Sequence, residues 1–246
     1  MNAVALVTGA ARRIGAVIAE HLHQRGLNVL LHCRHSTAEA DALAARLNQL
    51  RPDSARVLSA DLCDPHAVRR LATEALAQWG RLDVLVNNAS SFYATPLAAA
   101  NDEDWDALVH SNLRAPFLLI QALAPALQAQ QGAVVNIIDI YAEKPLTGFS
   151  LYCAAKAGLA ALTKGLAREL GPAARINGVA PGPILWPEQA DSGDPDAIIA
   201  STALQRAGAP DDIAGAVCWL ALDAPYVTGQ ILAVDGGRSQ VYHGAF

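Results

Sequence analysis

No two cysteines in this sequence stand at CxxC spacing. The four present, Cys33, Cys63, Cys153 and Cys218, match no zinc pattern and read as small buried hydrophobes. Histidine offers a metal no better: His21 and His23 are two apart on a predicted helix and face different sides, and there is no HxxxH. No run of about 18 apolar residues is free of charge, Pro or Gln, so no membrane-spanning helix is expected. Charge is sparse at 17% and sums to -5 at pH 7, which argues against a nucleic-acid partner. No basic segment precedes the first apolar run, so the N-terminus does not read as a signal peptide, and the expected compartment is the cytoplasm. What the chain does have is length and apolar content. Its 246 residues are 52% hydrophobic, which excludes a disordered chain. At ~150 residues per domain they make one large domain or two small ones, able to bury about 70–75% of the extended-chain surface without a disulfide or metal.

Strand-like and helix-like patterns alternate from end to end. Short apolar runs at 4–8, 28–32, 56–59, 84–86, 133–138, 175–179 and 230–234 predict strands. Ile14, Val17, Ile18 and Leu22 fall at helical spacing, with Gly26 as a stop. Further helices are predicted over 37–50, 65–79, 104–129, 151–170 and 211–222. Pro65 suits a first turn, whereas Pro116 and Pro125 are expected to kink or break the long fourth helix. Such a βαβαβ rhythm, with continuous apolar strands, implies an α/β fold: a mostly parallel sheet covered by helices on both faces. Residues 186–195 have loop composition, and both a mobile lid and a plain surface loop fit them.

The first strand runs into Thr8-Gly9-Ala10-Ala11-Arg12-Arg13-Ile14-Gly15 and then a helix. In that context Gly9 permits a tight turn and Gly15 a close helix–sheet approach, while the helix N-terminus offers N–H groups to a pyrophosphate. An NAD site places an acid at the end of the second strand for the ribose 2′-OH. Here the residues are Arg34, His35 and Ser36, with no acid before Glu39. They suit a 2′-phosphate, so the expected cofactor is NADP(H). Asp61 and Leu62 end the third strand, where the adenine would lie, and Asn87-Asn88-Ala89-Ser90 ends the fourth. Both are carboxyl ends, where open α/β sheets bind ligands.

Tyr152 and Lys156 are four apart on a predicted helix and share a face. A free tyrosine, with pKa about 10, exchanges protons poorly near neutrality. A nearby lysine cation is expected to lower that value, so the pair suits protonation of an atom that receives a hydride.

Taken together, Thr8-Gly9…Gly15, Asn87-Asn88-Ala89, Asn112, Tyr152-x-x-x-Lys156, Pro181-Gly182, Val227-Thr228-Gly229-Gln230 and Asp235-Gly236-Gly237 resemble the short-chain dehydrogenase/reductase family, in its order and spacing, over essentially the whole chain. The resemblance implies a single-domain Rossmann-type doubly wound fold over 1–246 with about seven parallel strands, a substrate loop around 184–205, and a homotetramer. It implies that Lys156 holds the nicotinamide ribose and that Asn112 positions a water behind Lys156. It also implies cofactor contacts from Gly9, Arg13, Ile14 and Gly15, from Asn88, Ala89 and Ser90, from Tyr152, and from Pro181, Gly182 and Ile184.

Two positions depart from the family pattern. Arg13 stands at the middle glycine of TGxxxGxG, where a guanidinium can meet a pyrophosphate, an anionic substrate or both. Asp139 stands where most members carry a serine, some thirteen residues before the tyrosine. A serine donates to a ketone oxygen. An ionised aspartate only accepts, and suits a substrate with N–H donors such as a 2-amino-4-oxo pterin. The alternative is that Asp139 caps a loop and the serine role passes to Ser150 or is lost. Both departures resemble the pteridine reductase branch, as does the stretch 87–97. That resemblance implies Phe92 as an aromatic lid stacking the pterin, Ser90 and Arg13 on pterin and cofactor, and Leu185 and Trp186 on the far wall. The expected reaction is hydride transfer from NADPH to a ring C=N, with Asp139, Tyr152, Lys156 and Asn112 handling the proton. The competing expectations are an oxoacyl-thioester or ketone reductase, and a non-catalytic NADP(H)-binding regulator on the same fold.

Overall fold

β1 (Val4–Val7) is apolar at every position and wholly inaccessible to solvent. It lies in the middle of the sheet, between β2 (Asn28–Cys33) and β4 (Val84–Asn87). The computed structural model describes residues 2–185 and 194–240. With β3 (Ala55–Ser59), β5 (Ala133–Ile137), β6 (Arg175–Pro181) and β7 (Ile231–Val234), the strands form one parallel sheet in the order β3-β2-β1-β4-β5-β6-β7. Alternate β1 residues enter opposite layers, as a period of two requires. Ala5 and Val7 pack with Ile18 and Leu22 of α1 (Arg13–Gln24), Leu43 of α2 (Thr37–Leu50) and Ile213 of α8 (Pro210–Cys218). Val4 and Leu6 pack with Leu71 of α3 (Pro65–Trp79) and with Leu119 and Leu123 of α5 (Ala115–Ala129). Burial on both faces explains why the central strands read as continuous apolar runs.

Local chemistry sets the helix ends. Asp64 caps α3, accepting from the His66 N–H at 2.8 Å, Pro65 follows at its first turn, and Gly80 ends it at φ 69. Asn101 and Asp104 form a capping box at the start of α4 (Asp102–Val109).

The single helix expected over 104–129 is instead α4 and α5 joined by a π-turn, His110–Arg114. Pro116 has no N–H to give the Asn112 carbonyl in an α-helical ladder, and the wider turn comes just before it. Pro125 lies inside α5 without ending it. The last predicted helix likewise divides into α8 and a π-turn, Trp219–Asp223. α6 (Ser150–Leu170) matches its expected span. Within the substrate loop expected around 184–205, Pro195–Ala200 instead forms a short helix, α7, capped by Asp194. Residues 186–193, and Trp186 with them, lie outside the described residues.

Candidate active site

The residues that could act on a substrate converge where β4 and β5 end and α6 begins. Asp139 caps the short turn Ile140–Ala142, its Oδ1 accepting the Tyr141 N–H at 2.9 Å. Its other oxygen, Oδ2, accepts the Tyr152 hydroxyl at 2.7 Å. One helical turn along α6, Lys156 donates from Nζ to the Ile137 carbonyl at 2.8 Å and is only 2% exposed. Behind the site, Asn87 Nδ2 donates to Asn136 Oδ1 at 2.8 Å and Asn136 Nδ2 donates to Thr163 Oγ1 at 2.9 Å. This buried chain ties β4 and β5 to α6 and so fixes the helix that carries Tyr152 and Lys156.

The electrostatics correct one expectation. Burial, and then the neighbouring Asp139 charge, push the Tyr152 phenol well above 10 rather than below it. Lys156 sits 5.7 Å from the Tyr152 ring centroid, and burial pushes it down to about 8. Burial also raises the Asp139 carboxyl, against which the Tyr141 N–H, the Tyr152 hydroxyl, Lys156 and Arg238 pull back. At neutral pH Tyr152 therefore holds its proton, already aimed at an acceptor.

Phe92 packs edge-on to Tyr152, with centroids 4.8 Å apart, and stacks on Phe149 at 4.7 Å. It thus packs directly against the Tyr152 ring. Ser90 lies beside Tyr152 and donates from Oγ to Asn112 Oδ1 at 2.7 Å. The Asn112 amide is otherwise spent on the Ser91 and Leu108 carbonyls, at 2.9 and 3.0 Å. Its side chain holds the π-turn to the segment after β4 rather than bonding Lys156 directly. Ser150 opens α6 and is exposed; Asp139, not Ser150, meets the tyrosine.

The nucleotide end has the shape a dinucleotide needs. Gly9 adopts φ 65, and a Cβ on Gly15 would fall 2.2 Å from the Gly9 carbonyl oxygen, so only glycine lets α1 approach the turn. Arg13 has φ 57, a left-handed conformation that explains why glycine is usual there, and it is exposed at the start of α1. The first turn of α1 has no acidic residue and no side-chain cap, leaving its N–H groups for an anion. Thr8 Oγ1 accepts the N–H groups of Asn88 and Ala89 at 2.9 and 3.0 Å, and Asn88 Nδ2 donates to the Thr8 carbonyl at 2.8 Å. The ends of β1 and β4 are locked together in this way. At the end of β2, Arg34 and His35 are exposed, and Ser36 caps α2 without using its side chain. Arg34 lies 3.7 Å from Asp61, with both half exposed; so weak a pair leaves the guanidinium open to exchange for a phosphate. Leu62 is buried beneath Asp61. Ile14 heads α1. Pro181 ends β6, Gly182 N–H donates to the Val234 carbonyl at 3.0 Å, Ile184 is buried, and Leu185 is 38% exposed at the rim. These donors fit an NADP(H) held across the carboxyl ends of the strands.

Three residues near the site have roles that the sequence alone does not show. His32, inside an apolar strand, bonds the nucleotide turn. Phe149, three before Tyr152, stacks on Phe92. Arg238, just after Asp235-Gly236-Gly237, faces Tyr141. Cys153 is buried as expected, and its Sγ accepts the Leu146 N–H at 3.4 Å. Only Phe149 carried a usable signal, an aromatic one helical turn from the tyrosine. Among the described residues no group of His, Cys, Asp and Glu is placed to hold a metal ion, and no helix is long and apolar enough to cross a membrane.

Known proteins resemble the chain throughout its length. A family model described as Enoyl-(Acyl carrier protein) reductase matches residues 9–239. Pteridine reductase 1 of Leishmania tarentolae is 36% identical, covering 96% of both chains. The granaticin polyketide synthase putative ketoacyl reductase 2 of Streptomyces violaceoruber is 38% identical over 95% of both. A 3-oxoacyl-(acyl-carrier-protein) reductase of Staphylococcus aureus is 36% identical over 96% of this chain and 98% of its own. Among solved structures, a blue fluorescent protein from a metagenomic library, in complex with NADPH, superposes with a TM-score of 0.90 at 38% identity, covering 96% of this chain and 97% of the other.

Proposed function

The chain belongs to the short-chain dehydrogenase/reductase family, and on that premise we propose that this NADPH-dependent reductase acts on a pteridine ring. The observation that carries the reading is Asp139, bonded to the Tyr152 hydroxyl at 2.7 Å, in place of the family's usual serine. A ketone presents only an acceptor oxygen, which an ionised carboxylate repels, whereas a 2-amino-4-oxo pterin presents N–H donors that it accepts. Phe92, backed by Phe149, supplies a face on which a flat heterocycle stacks.

The turn from Gly9 to Gly15, with Arg34 and Ser36, would hold NADPH, which when bound would supply the hydride. Asp139 anchors the substrate and orients the phenol. Tyr152 holds the proton at Oη and releases it to the ring nitrogen beside the reduced carbon, which for a dihydropterin is N5 of C6=N5. Lys156 stays buried below Tyr152, where its positive charge favours the phenolate left after release. Ser90 and Arg13 bound the substrate next to the cofactor. In this reading the enzyme is cytoplasmic and homotetrameric, an assembly that light scattering would verify directly.

A second reading has specific support: ketoacyl reductases are as similar to the chain as the pteridine reductase is. One assay separates the two. Purified enzyme with NADPH should consume the cofactor on adding dihydrobiopterin or dihydrofolate, and far more slowly with an acetoacetyl thioester. Tyr152→Phe should abolish turnover while still binding NADPH, and Asp139→Ser should lose pterin turnover more than NADPH affinity. Preference for the thioester, or near-normal pterin turnover in Asp139→Ser, would overturn the pteridine assignment.

A further inference from the structure

Ser90 stands where the nucleotide end meets the chemical end. The residue before it, Ala89, gives its N–H to Thr8 Oγ1 at 3.0 Å, and Phe92, two residues after it, packs on the Tyr152 ring with centroids 4.8 Å apart. Between these anchors Ser90 is exposed. Its hydroxyl donates from Oγ to Asn112 Oδ1 at 2.7 Å. Asn112 is wholly inaccessible to solvent, and both hydrogens of its amide are committed. Nδ2 donates to the Ser91 carbonyl at 2.9 Å and to the Leu108 carbonyl at 3.0 Å. Those two carbonyls fix which way the amide faces. Turned over, it would set its own oxygen against both of them. The atom facing Ser90 is therefore an oxygen, which can only accept, so the hydrogen between the two residues belongs to the serine.

A hydroxyl has one hydrogen to give and two lone pairs. We propose that Asn112 is a positioning residue that fixes the polarity of Ser90: by taking the serine hydrogen it leaves the hydroxyl only lone pairs to offer, and so makes it select a substrate edge that carries N–H donors. The proposal deepens the pteridine reading and rests on it for the identity of the ligand. A serine free to turn its hydrogen suits a donor or an acceptor equally and discriminates poorly between an amino group and a carbonyl. One held by a buried asparagine loses that freedom. A carbonyl oxygen brought against it meets lone pairs with no hydrogen between, unless the bond to Asn112 is first broken inside the protein. The site then holds two acceptors, Ser90 after β4 and an ionised Asp139 after β5, a pattern that a 2-amino-4-oxo ring matches.

The test compares two flat ligands on the NADP-bound enzyme, in which the oxidised cofactor has no hydride to give. Pterin carries an amino group at position 2, and lumazine carries a carbonyl oxygen there. Calorimetry on the wild type should show pterin bound about tenfold more tightly. In Ser90→Ala the ratio of the two affinities should fall about five- to tenfold through weaker pterin binding, and Ser90→Thr, which keeps the hydroxyl, should hold the wild-type ratio. In Asn112→Ala the serine hydrogen is released, and the ratio should fall because lumazine binds more tightly, a gain that loosening of the fold would not produce. If Asn112→Ala does not fold, NMR reads the bond directly: the side-chain 13C carbonyl resonance of Asn112 should move upfield in Ser90→Ala and stay in place in Ser90→Thr. Pterin and lumazine bound alike by the wild type, a ratio unchanged in Ser90→Ala, no gain for lumazine in a folded Asn112→Ala, or an Asn112 carbonyl that ignores the loss of the hydroxyl would each overturn the proposal. A wild-type enzyme that binds neither ligand would overturn the pteridine reading, while the carbonyl shift would still decide whether Asn112 holds the Ser90 hydrogen.

Discussion

His32 occupies an apolar strand and is 2% exposed, yet both of its ring nitrogens are used. Nδ1 accepts the Gly9 N–H at 3.2 Å, which leaves the proton on Nε2 to be donated to the Ala60 carbonyl at 3.1 Å. The ring therefore joins the ends of β1, β2 and β3 in its neutral form, and burial pushes its pKa down to about 4. Between that value and the ordinary 6.5 the unfolded chain binds the extra proton, so stability is fully present above pH 6.5 and lost as pH falls towards 4. Across that window His32 accounts for about 3 kcal/mol. Replacing it with Gln, which can both accept and donate, should make the fall in urea-unfolding free energy from pH 6.5 to 4 shallower by about 2–3 kcal/mol. Equal slopes in the two proteins would show that the ring is not held neutral. His32 carries no signal in the sequence, because a single polar residue in an apolar run has an ordinary core interpretation. Its partners are 23 and 28 residues away, and only the fold brings them together. Tyr152 and Lys156 were legible for the opposite reason: four residues apart on one helix, they meet by local geometry alone.

Elements show the same division between local and distant causes. The strands, the first-turn proline of α3 and the span of α6 could be read from nearby residues. Pro116 marks a break in the long fourth helix, but no nearby residue shows that the break takes the form of a π-turn, and none marks the second one at Trp219–Asp223. Arg175, at the start of β6, donates to the carbonyls of Leu220, Ala221 and Ala224 at 2.6, 2.7 and 3.1 Å. It thus satisfies the acceptors left at the end of α8 and its π-turn, where a cation also meets the negative end of the helix dipole. Burial lowers its pKa, but the guanidinium remains charged. Arg175→Met should strand these carbonyls and cost about 2–4 kcal/mol. The denaturant midpoint should drop at constant m, and Arg175→Lys should recover only part of the loss, lacking the fork that reaches all three. A midpoint unchanged in Arg175→Met would mean that water serves the carbonyls equally well.

At the scale of the molecule, parallel strands bring every carboxyl end to one side, and the order of the sheet divides the work. β1 to β3 carry the dinucleotide turn and the Arg34–Ser36 rim. β4 to β6 carry Ser90, Asp139 and the segment to Leu185. A bound dinucleotide would join the two across the point between β1 and β4 where the winding reverses. Saturation with NADPH at about a hundred times its Kd should therefore stabilise the whole fold by about 2.7 kcal/mol, a rise in Tm of about 5–10 °C. NADH at the same concentration should give clearly less, because the end of β2 offers a guanidinium and a hydroxyl rather than an acid. Equal shifts would remove the basis for NADP(H) preference at that rim. The central place of β1 also has a consequence for biosynthesis. Its pairing with β2 can form early, but the bond from the Val4 N–H to Asp83 spans 79 residues. At about 5–20 residues per second on the ribosome, one edge of the most buried strand waits about 4–16 seconds for its neighbour to be made, and a nascent chain stalled before residue 84 carries that edge bare.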